Sequence, residues 1–433
     1  MNLPFAFARA LLGLFVLAFG LAAPVLARGA FDADLPGEVL LKLRSTDGLA
    51  PLLSRYPLTL VSRFGARPIY RLKIVGTADL KTMVGQLALE PGVMIAETNP
   101  EAQSPEARKN IPWAVGDPAA YVAQWAPQAL RLPQAHARTT GAGVRVAVLD
   151  TGIDANHPLF AGRLLPGFDF VDFDSDPSET GSVVNAGYGH GTHVAGLVTM
   201  VAPGARIMPL RVLDAEGVGN AWVLAEAMLY AVDPDGNPET NDGAHIINLS
   251  LGSLARTRVM ASISNIVSCG AAIAGDAVAD RSDPGYADDE TRCARRPGAM
   301  VVAAAGNDAS VSVKEYPAAE SQYGLVSVAA SSALQRLAVF SNSGPWIDLA
   351  APGEGITSAF PGGGWATWSG TSMAAPLVAG VGALVRSGVR SIAPRDIVRR
   401  LTRTASVLCG TSLTQVDAWA ALTDTRPASG SCR

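Results

Sequence analysis

The sequence predicts an α/β protein with a mostly parallel sheet covered by helices on both faces, preceded by a small α+β module. Two observations support this prediction. Short apolar strands alternate with helical patterns over most of the chain, and a different, more mixed pattern occupies the first hundred residues. Alternating strands and helices are typical of a parallel sheet buried on both sides. A length of 433 residues leaves room for two or three domains.

The composition fits a globular protein that does not bind nucleic acid. Hydrophobic residues make up 48% of the chain and charged residues 17%, which is sufficient for a large core. The net charge is −4 and no strongly basic block occurs. Nucleic acid is therefore not an expected partner.

Residues 1–27 are predicted to form a signal peptide. Arg9 precedes an apolar run over residues 11–22, and small residues follow at Val25–Ala27. The alternative is an uncleaved anchor, but Pro24 and the shortness of the apolar run argue against it. We expect a monomer that is secreted to the periplasm or the medium and that has no membrane contact after cleavage.

Residues 28–110 are predicted to form a β-α-β-β-α-β module followed by a linker. The strands and helices are predicted, in chain order, at 39–43, 50–56, 58–61, 69–74, 79–89 and 93–96. Residues 99–110, called the linker below, are polar, lack capping signals and are interrupted by proline. This pattern predicts an exposed segment that a protease can cleave.

Residues 111–433 are predicted to form the main domain. Its strands are predicted at 144–149, 206–212, 246–251, 300–305, 325–329 and 346–349, with helices at 221–232 and 256–267. Ligands of such sheets bind at the carboxyl ends of the strands. Asp150 directly follows one of these strands and Asn307 follows another after one glycine, so this edge is the expected site.

Four residues form a set that acyl transfer requires. Asp150 ends a buried strand, His190 lies between two glycines at a helix start, and Asn307 offers an amide donor. Ser372 begins a buried apolar helix, where it or Thr371 could serve as N-cap and where the positive helix end favours an anion. Each residue alone could be an ordinary cap or turn residue. Together they supply a nucleophile, a base, an orienting carboxylate and an oxyanion donor.

The order and the motifs of these residues resemble the subtilisin-like serine peptidases, the subtilase family S8. The matching stretches are 150–154, 190–196 and 370–376, with Asn307 in the Ala-Gly-Asn sequence that precedes the last of them. The resemblance implies a subtilisin-like three-layer α/β/α fold and hydrolysis of peptide bonds through an acyl-enzyme. It also implies that Asp150 orients His190, the general base, while Ser372 attacks. Asn307 and the Ser372 N–H would hold the oxyanion.

The resemblance further implies a cleft for an extended protein or peptide substrate. The substrate would pair with two strand edges, and its primary side chain would enter a pocket between two short segments. The edge and pocket residues are Gly217, Val218, Gly219, Ser250, Leu251, Gly252, Ala304, Ala305 and Gly306. Glu315 resembles a residue at the pocket base, where a carboxylate would favour lysine or arginine. The alternative is a Glu315 side chain that faces solvent.

The amino-terminal module resembles, more weakly, the inhibitory propeptide of this family. The resemblance implies a module that assists folding, docks on the enzyme and leaves its tail in the active site until it is cut. We expect the maturation cut between Gln103 and Asp117. The alternative is an independent α+β domain with another function.

No cofactor and no metal are expected. His190 and His193 have no further cysteine or histidine close by that would complete a zinc site. Leu159 follows the His157 segment, and the loop at 198–204 is short, so ligands of the strong calcium site known in the family are missing. The acidic stretches 172–176 and 233–242 remain candidates for calcium, but they resemble solvated turns more closely.

The four cysteines are expected to form two structural disulfides after export. Three pairings are open, and the nearest-neighbour pairing Cys269–Cys293 with Cys409–Cys432 is favoured because it closes short loops. Two further alternatives concern function. One is a non-catalytic binding protein with this fold, and the other is an esterase or ligase with the same triad.

Overall fold

The computed structural model describes residues 33–270 and 284–426. The predicted signal peptide, residues 1–27, lies outside the described residues. The described strands are β1 Asp34–Leu43, β2 Leu58–Arg63, β3 Ile69–Ile74, β4 Val93–Gln103, β5 Ala114–Val115, β6 Arg145–Asp150, β7 Phe168–Asp169, β8 Arg206–Arg211, β9 Val218–Asn220, β10 Ile246–Leu249, β11 Met300–Ala304, β12 Leu325–Ser331, β13 Leu349–Pro352, β14 Ile356–Phe360, β15 Gly364–Trp368, β16 Ser406–Val407 and β17 Thr414–Gln415.

Helices connect and cover these strands. The described helices are α1 Leu49–Arg55, α2 Leu80–Leu87, α3 Pro105–Lys109, α4 Pro118–Ala123, α5 Ala126–Ala129, α6 Leu132–His136, α7 His190–Val201, α8 Ala221–Val232, α9 Arg258–Val267, α10 Pro284–Arg295, α11 Thr371–Gly388, α12 Pro394–Arg403 and α13 Ala418–Thr423. Short 3-10 turns occur at Thr46–Gly48 and Pro158–Phe160. The predicted helix at 221–232 is confirmed, and the predicted helix at 256–267 begins two residues later at Arg258.

The main sheet has the order β16-β17-β13-β12-β11-β10-β6-β8-β7. Neighbouring strands are parallel except for the pair β16 and β17. Strand β6 has β8 on one side and β10 on the other, so the connections that follow β6 and β8 run in opposite directions across the sheet. Such a point of divergence opens a crevice at the carboxyl ends of the strands. The predicted parallel sheet is confirmed.

Helices cover both faces of this sheet, as the apolar strands predict. Val146 and Val148 of β6 pack in a cluster with α7 and α11, whereas Ala147 and Leu149 pack in another cluster with α8. This alternation follows from the period of two of a β-strand. Helix α11 is buried over its first fifteen residues, from Thr371 to Val385, and forms the centre of one layer. The three-layer α/β/α prediction is confirmed.

The amino-terminal module forms the predicted β-α-β-β-α-β unit and docks on the main domain. Its sheet has the order β2-β3-β1-β4, and β4 continues the sheet onto β9 of the main domain. Phe64 stacks on Trp222 of α8 with ring centroids 3.9 Å apart. The Glu97 carboxylate accepts hydrogen bonds of 2.9 Å from the backbone N–H groups of Arg258 and Val259. A carboxylate thereby stabilises the positive end of α9.

Three predictions about local structure are wrong. The last central strand was expected at 346–349, but β13 begins at Leu349 because residues 344–347 form a turn closed by a bond from the Ile347 N–H to the Gly344 carbonyl. Thr371 and Ser372 were expected as N-caps, but both are helical and Gly370 is the N-cap. Residues 99–110 are not an exposed, uncapped linker. Residues 99–103 belong to β4, and the Ser104 hydroxyl caps α3 by accepting from the Ala107 N–H at 3.3 Å.

The disulfide Cys269–Cys293 is confirmed. It ties the end of α9 to α10. The other predicted disulfide involves Cys432, which lies outside the described residues, so this pairing stays a prediction. Among the described residues, no helix combines the length and the apolar character needed to cross a membrane.

Candidate active site

Asp150 and His190 meet at the carboxyl edge of the sheet. Asp150 is the last residue of β6, and its Oδ1 lies 2.7 Å from His190 Nδ1. The same oxygen accepts from the Thr151 N–H at 2.8 Å, which fixes the carboxylate. Both side chains are buried. The pair therefore has the geometry in which a carboxylate fixes the orientation of an imidazole.

Glu179 joins the Asp150 and His190 segments, and sequence analysis did not find it. Its carboxylate accepts from the Gly189 N–H at 3.2 Å and from the Thr192 N–H at 3.0 Å, and thus caps the start of α7. It also accepts from the Thr151 hydroxyl at 3.1 Å. Burial raises the pKa of Glu179, and the charge of Asp150 adds to this effect. Glu179 is a positioning residue that lies outside all three recognised motifs.

Ser372 lies in the first turn of α11, beside the segment that follows β10. The Ser372 hydroxyl donates to the Ser250 carbonyl at 3.0 Å, and the Ser250 hydroxyl donates to the Ser372 carbonyl at 2.9 Å. These two bonds attach the start of the helix to one predicted wall of the substrate pocket. The nucleophile candidate and the pocket are therefore parts of one rigid unit.

Asn307 is oriented by Thr371. The Asn307 Oδ1 accepts from the Thr371 N–H at 2.9 Å and from the Thr371 hydroxyl at 3.0 Å. The amide Nδ2 is thereby turned toward the space in front of Ser372. This is the placement that an oxyanion donor requires.

A carboxylate of the linker occupies the space between these groups. Glu106 Oε2 lies 2.5 Å from Ser372 Oγ, whose single proton it shares with the Ser250 carbonyl, and 3.1 Å from His190 Nε2. Glu106 Oε1 accepts from Asn307 Nδ2 at 2.7 Å and from the Ser372 N–H at 3.4 Å. Glu106 is fully buried. Its local sequence does not indicate this role, because the only feature there is a position next to the N1 proline of a five-residue helix.

The charges at this centre stabilise one another. Burial acts to lower the pKa of His190, but the carboxylates of Asp150 and Glu106 outweigh it and raise that pKa to about 10. Burial acts to raise the pKa of Glu106, whereas its bonds to His190, Ser372 and Asn307 hold it below the usual 4.5. With a carboxylate on each ring nitrogen, His190 is an imidazolium at neutral pH. In this state it cannot accept a proton from Ser372.

Gly370 makes the close approach of Glu106 possible. Its φ of 166° is an extended conformation that any residue adopts. A Cβ at this position, however, would lie 1.7 Å from Glu106 Oε1 and 3.0 Å from Asn307 Nδ2. Glycine is needed here for space and not for a special backbone angle.

The predicted cleft edges are occupied by the linker. Residues 101–103 pair antiparallel with Val218–Asn220 of β9, with Gln103 opposite Val218. On the other side, Gln103 and Gly252 exchange two backbone hydrogen bonds of 2.7 and 3.0 Å. The Ser104 N–H continues the pairing to the Gly217 carbonyl at 3.1 Å. The linker therefore lies between the two edges as an added strand.

The predicted pocket contains an arginine of the linker. Arg108 makes two parallel hydrogen bonds to Glu315, of 3.0 Å from Nη1 and 2.5 Å from Nη2. Glu315 is fully buried, so the alternative of a solvent-facing side chain is wrong. The segments 250–252 and 304–306 flank this carboxylate, as the glycines at Gly252 and Gly306 show by their contact with it.

The other histidines are placed as structural residues. His193 Nε2 lies 3.1 Å from the Ala366 carbonyl, and burial, followed by the neighbouring charge of His190, lowers its pKa to about 3. His157 is buried, with Nε2 2.9 Å from the Gly364 carbonyl. His136 and His245 likewise contact backbone groups of Val201 and Arg145.

The two acidic stretches have different surroundings. In the first, Asp172 contacts Arg211 at 2.5 Å, and Asp174 accepts from the Asp176 N–H at 2.8 Å. In the second, carboxylate oxygens of Asp233, Asp235 and Asp242 lie within 4.8 Å of one another. The absence of a calcium requirement stays a prediction.

Comparisons with known proteins agree with this fold and site. The model of the subtilase family, Peptidase_S8, matches residues 141–427. A thermophilic serine proteinase of Bacillus sp. (strain AK1) is 34% identical over 352 residues, covering 79% of this chain and 74% of that protein. Thermitase of Thermoactinomyces vulgaris is 35% identical over 298 residues, covering 66% of this chain and 90% of that protein.

A solved structure extends the likeness to the amino-terminal part. Fervidolysin from Fervidobacterium pennivorans superimposes with a TM-score of 0.70 and 22% identity, covering 92% of this chain and 62% of that chain. At this identity the likeness concerns the fold. The chain belongs to the subtilase family and is a subtilisin-like serine endopeptidase. The comparisons give no support to a non-catalytic binding protein.

Proposed function

We propose that the chain is a secreted zymogen whose mature part hydrolyses peptide bonds with Asp150, His190 and Ser372. The observation that carries this proposal is the convergence of the three side chains and Asn307 on one carboxylate at the carboxyl edge of the sheet. Residues 1–27 would be the signal peptide, 28–110 the propeptide and 111–433 the peptidase domain. The substrates are proteins or peptides.

The proposed reaction needs no cofactor. Ser372 Oγ attacks the peptide carbonyl carbon while its proton passes to His190 Nε2, and Asp150 stabilises the resulting imidazolium. The Asn307 amide and the Ser372 N–H donate to the oxyanion. Collapse of the intermediate breaks the C–N bond, and the amine leaves with the proton from His190. Water then repeats the attack on the acyl-enzyme, and the acid product and free Ser372 result.

We propose that the propeptide inhibits this centre through Glu106. Its two oxygens contact Ser372, His190 and Asn307 at 2.5 to 3.1 Å, and its negative charge stands where the oxyanion of the reaction would form. The linker at the same time fills both cleft edges. A substrate therefore cannot enter until residues 101–109 leave. Release of the linker would also let His190 lose the proton that Glu106 stabilises.

Labelling with a fluorophosphonate probe tests the assignment of the nucleophile. We expect the processed chain to be labelled at Ser372, as found by peptide mapping, and the Ser372→Ala variant to remain unlabelled and unprocessed. Ser369→Ala on the preceding loop is a suitable control and should be labelled normally, because the Ser369 hydroxyl accepts from the Gly355 N–H at 2.9 Å. Equal labelling of Ser372→Ala would reject the assignment, and normal processing of that variant would show that another protease performs the cut.

A further inference from the structure

The pocket beside Ser372 ends in the Glu315 carboxylate, which holds a guanidinium, and a second carboxylate, Asp308, lies nearby and is also paired with Lys109. The two bonds between Arg108 and Glu315 form a planar, two-oxygen contact. Asp308 is a second acidic neighbour, with Oδ2 3.7 Å from Arg108 Nη2. Two parallel N–H···O bonds match the flat fork of arginine, whereas the ammonium of lysine is a point charge that cannot form them. The pocket is therefore shaped for arginine in particular.

Glycines on both walls make room for the buried carboxylate. A Cβ on Gly252 would lie 2.6 Å from Glu315 Cγ, and a Cβ on Gly306 would lie 2.9 Å from Glu315 Oε2. A larger residue at either position would therefore displace the carboxylate. Gly306 also has φ +96°, a conformation that favours glycine. Both pocket walls are built around an acid at this position.

The backbone holds both acids in place. The Tyr316 N–H donates to the Ser253 carbonyl at 2.8 Å, and the Ser253 N–H donates back to the Tyr316 carbonyl at 2.9 Å. These bonds attach the Glu315 segment directly to the Gly252 wall. The Asp308 N–H donates to Asn342 Oδ1 at 2.9 Å. A preorganised acidic pair loses little conformational freedom when a cation binds.

The same walls lead to the reacting serine. Ser250 exchanges hydrogen bonds with Ser372, and Gly252, two residues later, pairs with the added strand at Gln103. A substrate strand that pairs with Gly252 therefore continues past the pocket mouth to Ser372. The side chain next to the reacting bond would then lie beside the pocket that Arg108 fills in the intact chain. In the intact chain, the side chain of Arg108 occupies the pocket. Arg108 belongs to α3 and not to the paired strand.

We infer that the pocket takes an arginine side chain that directly precedes the cleaved bond, so that the enzyme cuts proteins after arginine. The inference rests on the proposed role of Ser372. A substrate arginine would replace Arg108 on Glu315 once the linker has left. Asp308 adds a second attractive charge, and apolar side chains would leave the buried carboxylate without the cation that the pocket is shaped to hold.

Peptide nitroanilides that differ only in the residue before the bond test this inference. For the processed enzyme, we expect kcat/KM for arginine to exceed that for leucine by about 100-fold and that for lysine by several-fold. Glu315→Gln should lower the ratio of kcat/KM for arginine to that for leucine by about 100-fold. Glu320→Gln is the matched control, because Glu320 is a buried carboxylate on the same segment that contacts Arg256.

A second measurement covers a variant that fails to fold or mature. The processed wild type is incubated with a peptide library, and the residues before the cut bonds are identified by mass spectrometry. Arginine before most cuts supports the inference, whereas leucine or phenylalanine there overturns it. If a fluorophosphonate labels Ser372 but the cut bonds show no arginine preference, only the pocket assignment is rejected. Absence of labelling rejects the proposed function and the inference with it.

Discussion

At the scale of single residues, Glu106 determines the state of the reactive centre. Its carboxylate holds His190 as an imidazolium and binds both predicted oxyanion donors. Bonds to a charged group contribute about 1.5–3 kcal/mol each. Loss of the Glu106 charge should therefore destabilise the closed state, in which the linker covers the triad. The triad residues themselves are unchanged.

Substitution of Glu106 tests this role. Glu106→Gln keeps the shape of the side chain but removes its charge, so we expect the intact chain to react with a fluorophosphonate about 10- to 100-fold faster. Glu101→Gln is the control, since Glu101 is a carboxylate of the same linker that contacts Gln103 and not the triad. An unchanged rate for Glu106→Gln would mean that the paired strand alone closes the cleft.

The pKa of His190 predicts that alkaline pH opens the intact chain. Its pKa is about 10 with Glu106 in place and 6.5 for an ordinary histidine. Glu106 adds to the effect of Asp150, so protonated His190 stabilises the closed state, and this stabilisation is lost as the pH rises toward 10. The lowered pKa of Glu106 acts in the opposite sense, so its contribution is lost at acidic pH, below 4.5. Asp150, Glu179 and His193 are the other ionisable groups near this pair.

The measurement is the ratio of labelling rates of the intact and the processed chain at each pH. The ratio corrects for the ordinary pH dependence of the triad. We expect it to increase between pH 7 and 10 and to stay nearly constant over this range in Glu106→Gln. A ratio that decreases toward alkaline pH would contradict the charge assignment.

Local sequence motifs predicted the four residues that meet at the proposed centre but not Glu106, which contacts three of them. Asp150, His190, Asn307 and Ser372 lie in local motifs at strand ends or helix starts, so their chemistry can be inferred without tertiary structure. The partners of Glu106 lie 84 to 266 residues away along the chain, and those of Glu179 lie 10 to 28 residues away. No local pattern indicates such contacts.

At the scale of elements, the apolar strands and helices were predicted well because their burial leaves a periodic pattern. The prediction that the linker is exposed is wrong, because it too was made from the local pattern alone. Asn99, Gln103 and Ser104 are polar residues typical of an exposed segment, yet they are buried because β9, Gly252 and α8 provide their hydrogen-bond partners. Polarity indicates exposure only where no other part of the chain satisfies the polar groups.

The start of α11 gives a prediction about Gly370. In Gly370→Ala, the new Cβ would occupy the place of Glu106 Oε1 and crowd Asn307 Nδ2. We expect the processed variant to lose about 10- to 100-fold in kcat/KM, because an oxyanion would meet the same obstruction. The intact and the processed forms of this variant should have similar activity, because Glu106 can no longer bind beside Ser372. Gly388→Ala, at the other end of the same helix, is the control, because a Cβ there would meet only the Leu422 side chain, at 3.4 Å.

At the scale of the whole molecule, module, linker and main domain form one continuous structure. The module binds through Phe64 and Glu97 to the start of α8 and α9, and β4 then carries the chain into the cleft between β9 and Gly252. This arrangement sets the position of Glu106 and Arg108 at the reactive centre. Cleavage within the linker would free the cleft and leave the module bound only by its docking surface.

The arginine pocket predicts where the linker is cut. Cleavage after Arg108 would give a mature chain that begins at Lys109, within the range 103–117 expected from the sequence. Amino-terminal sequencing of the processed chain measures this directly. Arg108→Gln should shift or slow the cut, whereas Arg55→Gln, an exposed arginine of the module that contacts Glu90, should not. A mature chain that begins after an apolar residue would contradict the prediction.

The rate of fluorophosphonate labelling of Ser372 in the intact chain, compared with the processed chain of the same preparation, tests the central claim most directly. If the linker closes a complete catalytic centre, labelling of the intact chain will be at least about 100-fold slower, and the label in both forms will map to Ser372. Equal rates in the two forms, or a label on another residue, would contradict the account.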